Sequence, residues 1–212
     1  MKQLWTELVF ILDRSGSMRG LEHQTMSGFN EVLFKQKALE GEAVVYTVLF
    51  DDQYELLHHR VPIQEIKSLT KEDYYVRGMT ALLDAVGKTI QKVKEAHLNK
   101  DFTKPDKVLF VIITDGMENA SMEYSYKAIE SLISETKSNG WEYMFLGANL
   151  DAAKVGARMG IHKDRTVRYH ADQKGTKINY EVINEAVTSF RIKNHLSKAW
   201  KKRIDEDFKS RK

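Results

Sequence analysis

Asp13, Ser15 and Ser17 lie in the stretch LVFILDRSGSMRG (residues 8–20), directly after the unbroken apolar run Leu8-Val9-Phe10-Ile11-Leu12. One carboxylate and two hydroxyls at this spacing are hard oxygen donors, a set better suited to Mg²⁺ or Mn²⁺ than to zinc or copper. The apolar run fits a strand buried on both faces of a sheet. Asp13 then stands at the carboxyl end of that strand, where open α/β sheets hold their ligand crevice. Gly16 permits a tight turn, so both serines can point back toward Asp13. The same residues also suit a strand followed by a serine-capped helix, and this stretch alone leaves both readings open.

Two later segments bear on the choice. They are Gly78-Met79-Thr80-Ala81-Leu82 and Thr114-Asp115-Gly116, the second following another apolar run at residues 108–113. Thr80 taken singly reads as a helix N-cap. Taken in order, the three segments resemble the metal-ion-dependent adhesion site (MIDAS) of von Willebrand factor A (vWA) domains of the stand-alone bacterial and phage type. The resemblance runs over residues 4–197, and Asp13, Ser15, Ser17, Thr80 and Asp115 fill all five positions of the pattern. It implies that Ser15 and Ser17 ligate Mg²⁺ or Mn²⁺ directly, Thr80 directly or through water, and the two carboxylates largely through water. A shell rich in neutral hydroxyls leaves the ion poorly neutralised, which favours an Asp or Glu carboxylate from a protein partner. The expected function is a metal-dependent protein-binding module, an adhesion or scaffold role rather than an enzyme.

The elements that must position these residues follow from periodicity. A strand at residues 6–13 precedes a helix at 21–39, whose Met26, Phe29, Val32 and Leu33 recur at helical spacing. Apolar runs at 44–50 and 54–61, joined by Asp51-Asp52, predict a hairpin with the later strand antiparallel. Residues 63–71 read as a connector with one helical turn at 63–66. A helix at 81–96, a strand at 107–114, a helix at 122–138 and a strand at 141–147 follow. A short helix at 152–159, a strand at 166–169 and a long helix from 180 complete the order. Strands alternating with helices imply an α/β, doubly wound, Rossmann-like fold: a mostly parallel sheet with one antiparallel edge strand and helices on both faces. The vWA resemblance supplies six strands ordered 3-2-1-4-5-6.

Composition narrows the remaining classes. The 212 residues carry no cysteine, which removes disulfides, thiolate catalysis and Cys-based zinc sites. No apolar run approaches the ~20 residues of a transmembrane segment. The opening Met1-Lys2-Gln3-Leu4-Trp5-Thr6-Glu7 reads into a strand with no signal-peptide core, so a cytoplasmic protein is expected. Net charge is +3, yet residues 198–212 hold seven Lys/Arg and three Asp/Glu, leaving the body near neutral. That balance gives no basic face for nucleic acid.

Other candidates are weaker. Glu118 and Asn119 either shape the rim of the site or form a turn, the favoured reading. Arg14 and Arg19 either steer an acidic partner or, the favoured reading, are solvated charge; His58 and His59 are side chains on opposite faces of a strand. Neither GxGxxG nor GxxxxGK[ST] is present, so Gly16 and Gly20 make no phosphate loop. A strand ending in Asp also resembles the start of haloacid dehalogenase-type phosphatases, the basis of a competing Mg²⁺-dependent phosphoryl-transfer reading. Those enzymes carry a second Asp two residues on, where this chain has Ser15.

The organisation expected is a vWA domain over residues 1–197 and a basic amphipathic helical extension over 198–212. Leu196, Trp200, Ile204 and Phe208 recur every four residues, which lines up one face of a helix. Packing of that stripe on the protein itself is the favoured reading. The alternative is docking on a partner, an anionic membrane surface, or another copy of the chain through self-association.

Overall fold

Thr6–Asp13 forms β1, and every one of its residues is buried, as an apolar run between polar turns dictates. The computed structural model describes residues 5–100, 102, 104–148 and 151–211, so the reading of residues 1–4 lies outside the described residues. The other strands are β2 (Ala43–Phe50), β3 (Tyr54–Pro62), β4 (Lys107–Thr114), β5 (Glu142–Ala148) and β6 (Thr166–Tyr169). They form one six-stranded sheet ordered β3-β2-β1-β4-β5-β6, parallel except for β3.

The helices are α1 (Glu22–Lys37), α2 (Leu82–Leu98), α3 (Tyr126–Ser138), α4 (Ala152–Arg158), α5 (Gln173–Lys193) and α6 (Lys202–Ser210). Side chains alternate along a strand, so β1 feeds two cores. Leu8, Phe10 and Leu12 pack with α1, α5 and α6, whereas Val9 and Ile11 pack with α2, α3 and α4. No helix among the described residues is long and apolar enough to cross a membrane.

Strand order reverses between β1 and β4. The register pairs Leu12 with Ile113, so the ends of both strands come level at Asp13 and Thr114. That is the switch point of the sheet, and its crevice opens at the carboxyl edge.

Three boundaries differ from expectation. α5 begins at Gln173, not at residue 180, because the Asp172 side chain caps it by accepting the Gly175 amide at 2.7 Å. α3 begins at Tyr126, not at 122, since the Met122, Glu123 and Tyr124 amides all turn onto the Asp84 carboxylate at 2.8–2.9 Å. The connector after β3 makes only hydrogen-bonded turns where one helical turn was expected.

Both outer strands are irregular. The β2–β3 pairing carries register shifts near Thr47, and Arg60 has a left-handed φ of 56°. Arg60 thereby sets its Nε 3.2 Å from Oε1 of the buried Glu7, whose Oε2 lies 2.5 Å from His97 Nε2. β6 has only four residues, and Lys201 Nζ donates to the Thr166 carbonyl at 2.7 Å.

The C-terminal segment makes a 3-10 turn at Lys198–Lys201 and then α6. Leu196, Trp200 and Ile204 are buried in the same core as Leu8 and Phe10, and Phe208 stacks on His170 with ring centroids 4.5 Å apart. Trp200 Nε1 donates to the Asp164 carbonyl at 2.8 Å. Arg203 pairs with Glu181 and Glu185 of α5.

Candidate metal site at the carboxyl ends of β1 and β4

The turn that leaves β1 is short. Gly16–Met18 forms a 3-10 turn, and Ser15 stands at its N-cap position with no side-chain capping bond. The hydroxyl is free to turn toward the sheet instead. Ser15 Oγ lies 3.1 Å from Ser17 Oγ, and the Thr80 hydroxyl donates to Ser15 Oγ at 3.0 Å. The Ser17 hydroxyl donates to Asp115 Oδ1. Three hydroxyls from two loops thus meet one carboxylate from a third. Helix α2 has Ala81 at its N-cap and no side-chain cap, so Thr80 is not capping a helix.

Asp13 sits behind this group. Its Oδ1 accepts the Ser15 amide at 2.7 Å and its Oδ2 accepts the Thr114 hydroxyl at 2.5 Å. Burial pushes its carboxyl up from the ordinary value, against the pull of the Thr114 and Ser15 hydrogen bonds. Burial likewise pushes Asp115 up to about 6, opposed by the Ser17 bond and reinforced by the charge of Asp13. Asp115 Oδ2 is buried and has no hydrogen-bond partner among the described residues. An unpaired buried carboxylate oxygen costs free energy unless a cation meets it.

Space beside these atoms is kept open by Gly116. A Cβ there would lie 2.6 Å from Thr80 Oγ1 and 3.0 Å from Ser17 Oγ. Two carboxylates and three hydroxyls are hard donors of the kind Mg²⁺ and Mn²⁺ accept. Among the described residues no group of three or more His, Cys, Asp or Glu could hold a metal. A site made of hydroxyls and two carboxylates is not of that type.

Several positioning residues carry no motif signal. The Tyr74 hydroxyl donates to the Asp13 carbonyl at 2.5 Å. Asn119 Oδ1 accepts the Thr80 amide at 2.9 Å, while the Asn119 and Ala120 amides donate to the Thr80 carbonyl. Glu118 accepts the Leu83 amide at 2.9 Å and the Ser121 amide at 2.8 Å. Glu118 and Asn119 therefore do more than form a turn: they tie the Thr80 loop to the loop after β4. His58 and His59 form no joint site. The His59 ring meets Tyr46 edge-on at 5.3 Å, and burial lowers the His58 pKa against the opposing charge of Asp73.

Arg14 corrects the expectation of a solvated charge. It is 0% exposed, with Nε 3.0 Å from Asp51 Oδ2 and Nη1 2.7 Å from Glu55 Oε2. Asp51 also receives Arg77 Nε at 2.6 Å. Around these ions the backbone closes: Gly16 N donates to Gly78 O at 3.1 Å, Arg77 N to Arg14 O at 3.0 Å, and Ala81 N to Asp51 O at 2.8 Å. Gly78 has φ 65°, which its lack of a Cβ permits, and a side chain there would strike Asp52.

No protein-family model matches the sequence, and no curated protein matches it. Among solved structures the chain is similar to the von Willebrand factor domain of the type V pili tip protein Mfa5 from Porphyromonas gingivalis. That match has TM-score 0.57 and 10% identity, over 89% of this chain and 96% of the other. It is also similar to the ArnB paralog VWA2 from Sulfolobus acidocaldarius, with TM-score 0.53, 17% identity, and 88% and 45% of the two chains covered. The fold is that of a von Willebrand factor A domain. The PilB minor pilin from Streptococcus sanguinis shares it, with TM-score 0.59 and 11% identity over 88% of this chain. The chain spans 62% of the length of PilB and less than half that of VWA2. Within the vWA fold the hydroxyl cluster described above occupies the switch point of the sheet, between β1 and β4.

Proposed function

We propose that this protein is a vWA-type adhesion module that binds Mg²⁺ or Mn²⁺ at Asp13, Ser15, Ser17, Thr80 and Asp115, and through that ion captures an Asp or Glu carboxylate of a protein partner. The observation that carries the proposal is the Asp115 carboxylate at three converging hydroxyls, its Oδ1 bonded to Ser17 and its buried Oδ2 without a hydrogen-bond partner among the described residues. A hard cation placed there would take up the hydroxyl lone pairs and the free carboxylate oxygen together. Ser15, Ser17 and Thr80 are the residues to hold it; Asp13 orients Ser15 and Thr114 and adds negative charge behind the cluster. Hydroxyl ligands are neutral, so the bound ion would retain the pull on an external carboxylate that partner binding needs.

Binding rather than turnover is favoured by Asp13 itself. Both its oxygens already accept hydrogen bonds from Ser15 and Thr114, so neither is poised as a nucleophile toward phosphate. The pilus proteins among the structural neighbours also support a role in protein contacts.

Calorimetric titration with Mn²⁺ tests the ion site. Wild type is expected to bind one ion, and Asp115→Ala to lose it with the fold intact by circular dichroism. Pull-downs from lysate with Mg²⁺ and with EDTA test the interface. Equal heats for wild type and variant, or equal capture in EDTA, would sink the proposal.

A further inference from the structure

Eight large hydrophobic side chains are exposed among the described residues, and four of them, Tyr75, Met79, Met117 and Met122, lie on loops at the carboxyl end of the sheet. Single exposed apolar residues are ordinary; a cluster at one pole of a molecule is not. Met79 directly precedes Thr80 and is 57% exposed, and Met117 lies two residues past Asp115 and is 70% exposed. Met122, 93% exposed, follows the loop whose amides hold the Thr80 carbonyl. Unbranched, polarisable methionine side chains adapt to apolar surfaces of varied shape. Arg19, exposed after the 3-10 turn, adds positive charge to the rim.

We propose that this rim selects a protein segment in which the ion-seeking Asp or Glu is flanked by aliphatic side chains that pack on the exposed methionines. The inference rests on the ion-dependent reading above, because a carboxylate on the ion is what fixes the segment over Ser15, Ser17 and Thr80. Consecutive Cα atoms are about 3.8 Å apart, so the residues before and after that carboxylate would lie over the loops that carry Met79, next to Thr80, and Met117, two residues past Asp115. Charge complementarity sets the central residue, and the apolar rim sets its neighbours. A polar flank would strip water from methionine side chains and return no apolar contact.

Two peptides displayed densely on a biosensor surface provide the test, Gly-Leu-Glu-Leu-Gly and Gly-Ser-Glu-Ser-Gly, with the full chain as analyte in Mn²⁺ or EDTA. The leucine-flanked peptide is expected to bind roughly tenfold or more tightly, and only in Mn²⁺. A triple variant, Met79→Gln, Met117→Gln and Met122→Gln, is expected to lose that preference while keeping the wild-type Mn²⁺ heat and melting temperature. Equal, Mn²⁺-dependent binding of both peptides overturns the rim proposal and leaves the ion reading standing. Binding that survives EDTA overturns the ion reading itself. No binding of either peptide overturns the rim proposal, as does a Mn²⁺-dependent dimer abolished by the triple variant, which would assign the rim to a second copy of the chain.

Discussion

Arg14 and Asp51 form a closed ion pair, Nε to Oδ2 at 3.0 Å, with neither side chain reaching solvent. The pair joins the first residue after β1 to the first residue after β2, and Arg77 brings the loop before Thr80 to the same carboxylate. Two of the three loops that supply the hydroxyl cluster and its carboxylate are thus tied to one buried anion. Asp51→Ala would leave the buried Arg14 guanidinium with Glu55 as its carboxylate partner and its Nε unsatisfied, a change that costs about 1–3 kcal/mol. Urea denaturation is expected to show that loss, and Mn²⁺ affinity to fall with it. A stability change under about 1 kcal/mol would show that the pair is dispensable.

Gly116→Ala separates space from charge. The added methyl sits against Thr80 Oγ1 and Ser17 Oγ but leaves every proposed ligand in place. Mn²⁺ affinity is expected to fall by roughly tenfold or more, with the metal-free protein losing about 1–3 kcal/mol as Thr80 and Ser17 give way. Unchanged calorimetric heats and affinity would mean the ion does not sit between these hydroxyls.

The metal-free protein should become more stable as pH falls toward 5. Burial holds the Asp115 carboxyl up at about 6 and raises Asp13 in the same direction. The native state therefore keeps these protons at a pH where the unfolded chain has released them, and stability declines with rising pH between the unfolded and folded values. Asp115→Asn mimics the protonated form. The melting temperature of wild type minus that of the variant should rise on going from about pH 7.5 to about pH 5. Ion affinity should move the opposite way, because a protonated carboxyl is a poor ligand. A pH-independent difference would contradict the buried setting of Asp115.

Saturating Mn²⁺ should raise the melting temperature. At one hundred times the dissociation constant, a ligand specific to the native state adds about 2.7 kcal/mol, worth about 5–11 °C for a domain of this size. Differential scanning calorimetry with EDTA as reference reads the shift directly.

Trp200→Ala tests how the C-terminal segment is held. The indole packs in the core shared with Leu8 and Phe10 and donates to the Asp164 carbonyl. Truncating a buried Trp costs about 3–5 kcal/mol, and a melting temperature within a degree of wild type would show that α6 is only loosely attached.

Much of the sheet was legible because its strands are continuous apolar runs, and a buried parallel strand needs no other signal. The five residues of the hydroxyl and carboxylate cluster stood out because their order and spacing form a pattern. Arg14 did not. Its partner lies 37 positions away, and nothing in a polar Asp-Arg-Ser-Gly-Ser turn announces that its second residue is sealed from water. Tyr74 escaped notice, and the parts played by Asn119 and Gly116 were not legible, because these residues act on backbone atoms or by leaving room. The first turns of α5 were hidden by their composition, Gln-Lys-Gly-Thr-Lys, which is weakly helical; the Asp172 cap holds their start in place of an apolar stripe.

The two borders of the sheet have a consequence for how copies of this molecule can be joined. On one side β3 is kinked at Arg60 and ends at Pro62, which has no amide proton to donate. On the other, β6 is four residues long and one of its carbonyls is already taken by Lys201. Neither border offers the straight row of free amides and carbonyls that a strand from another chain would need. In a fibre or array containing this domain, linkage through its loops and helices is therefore favoured over a continuous sheet running from one copy to the next.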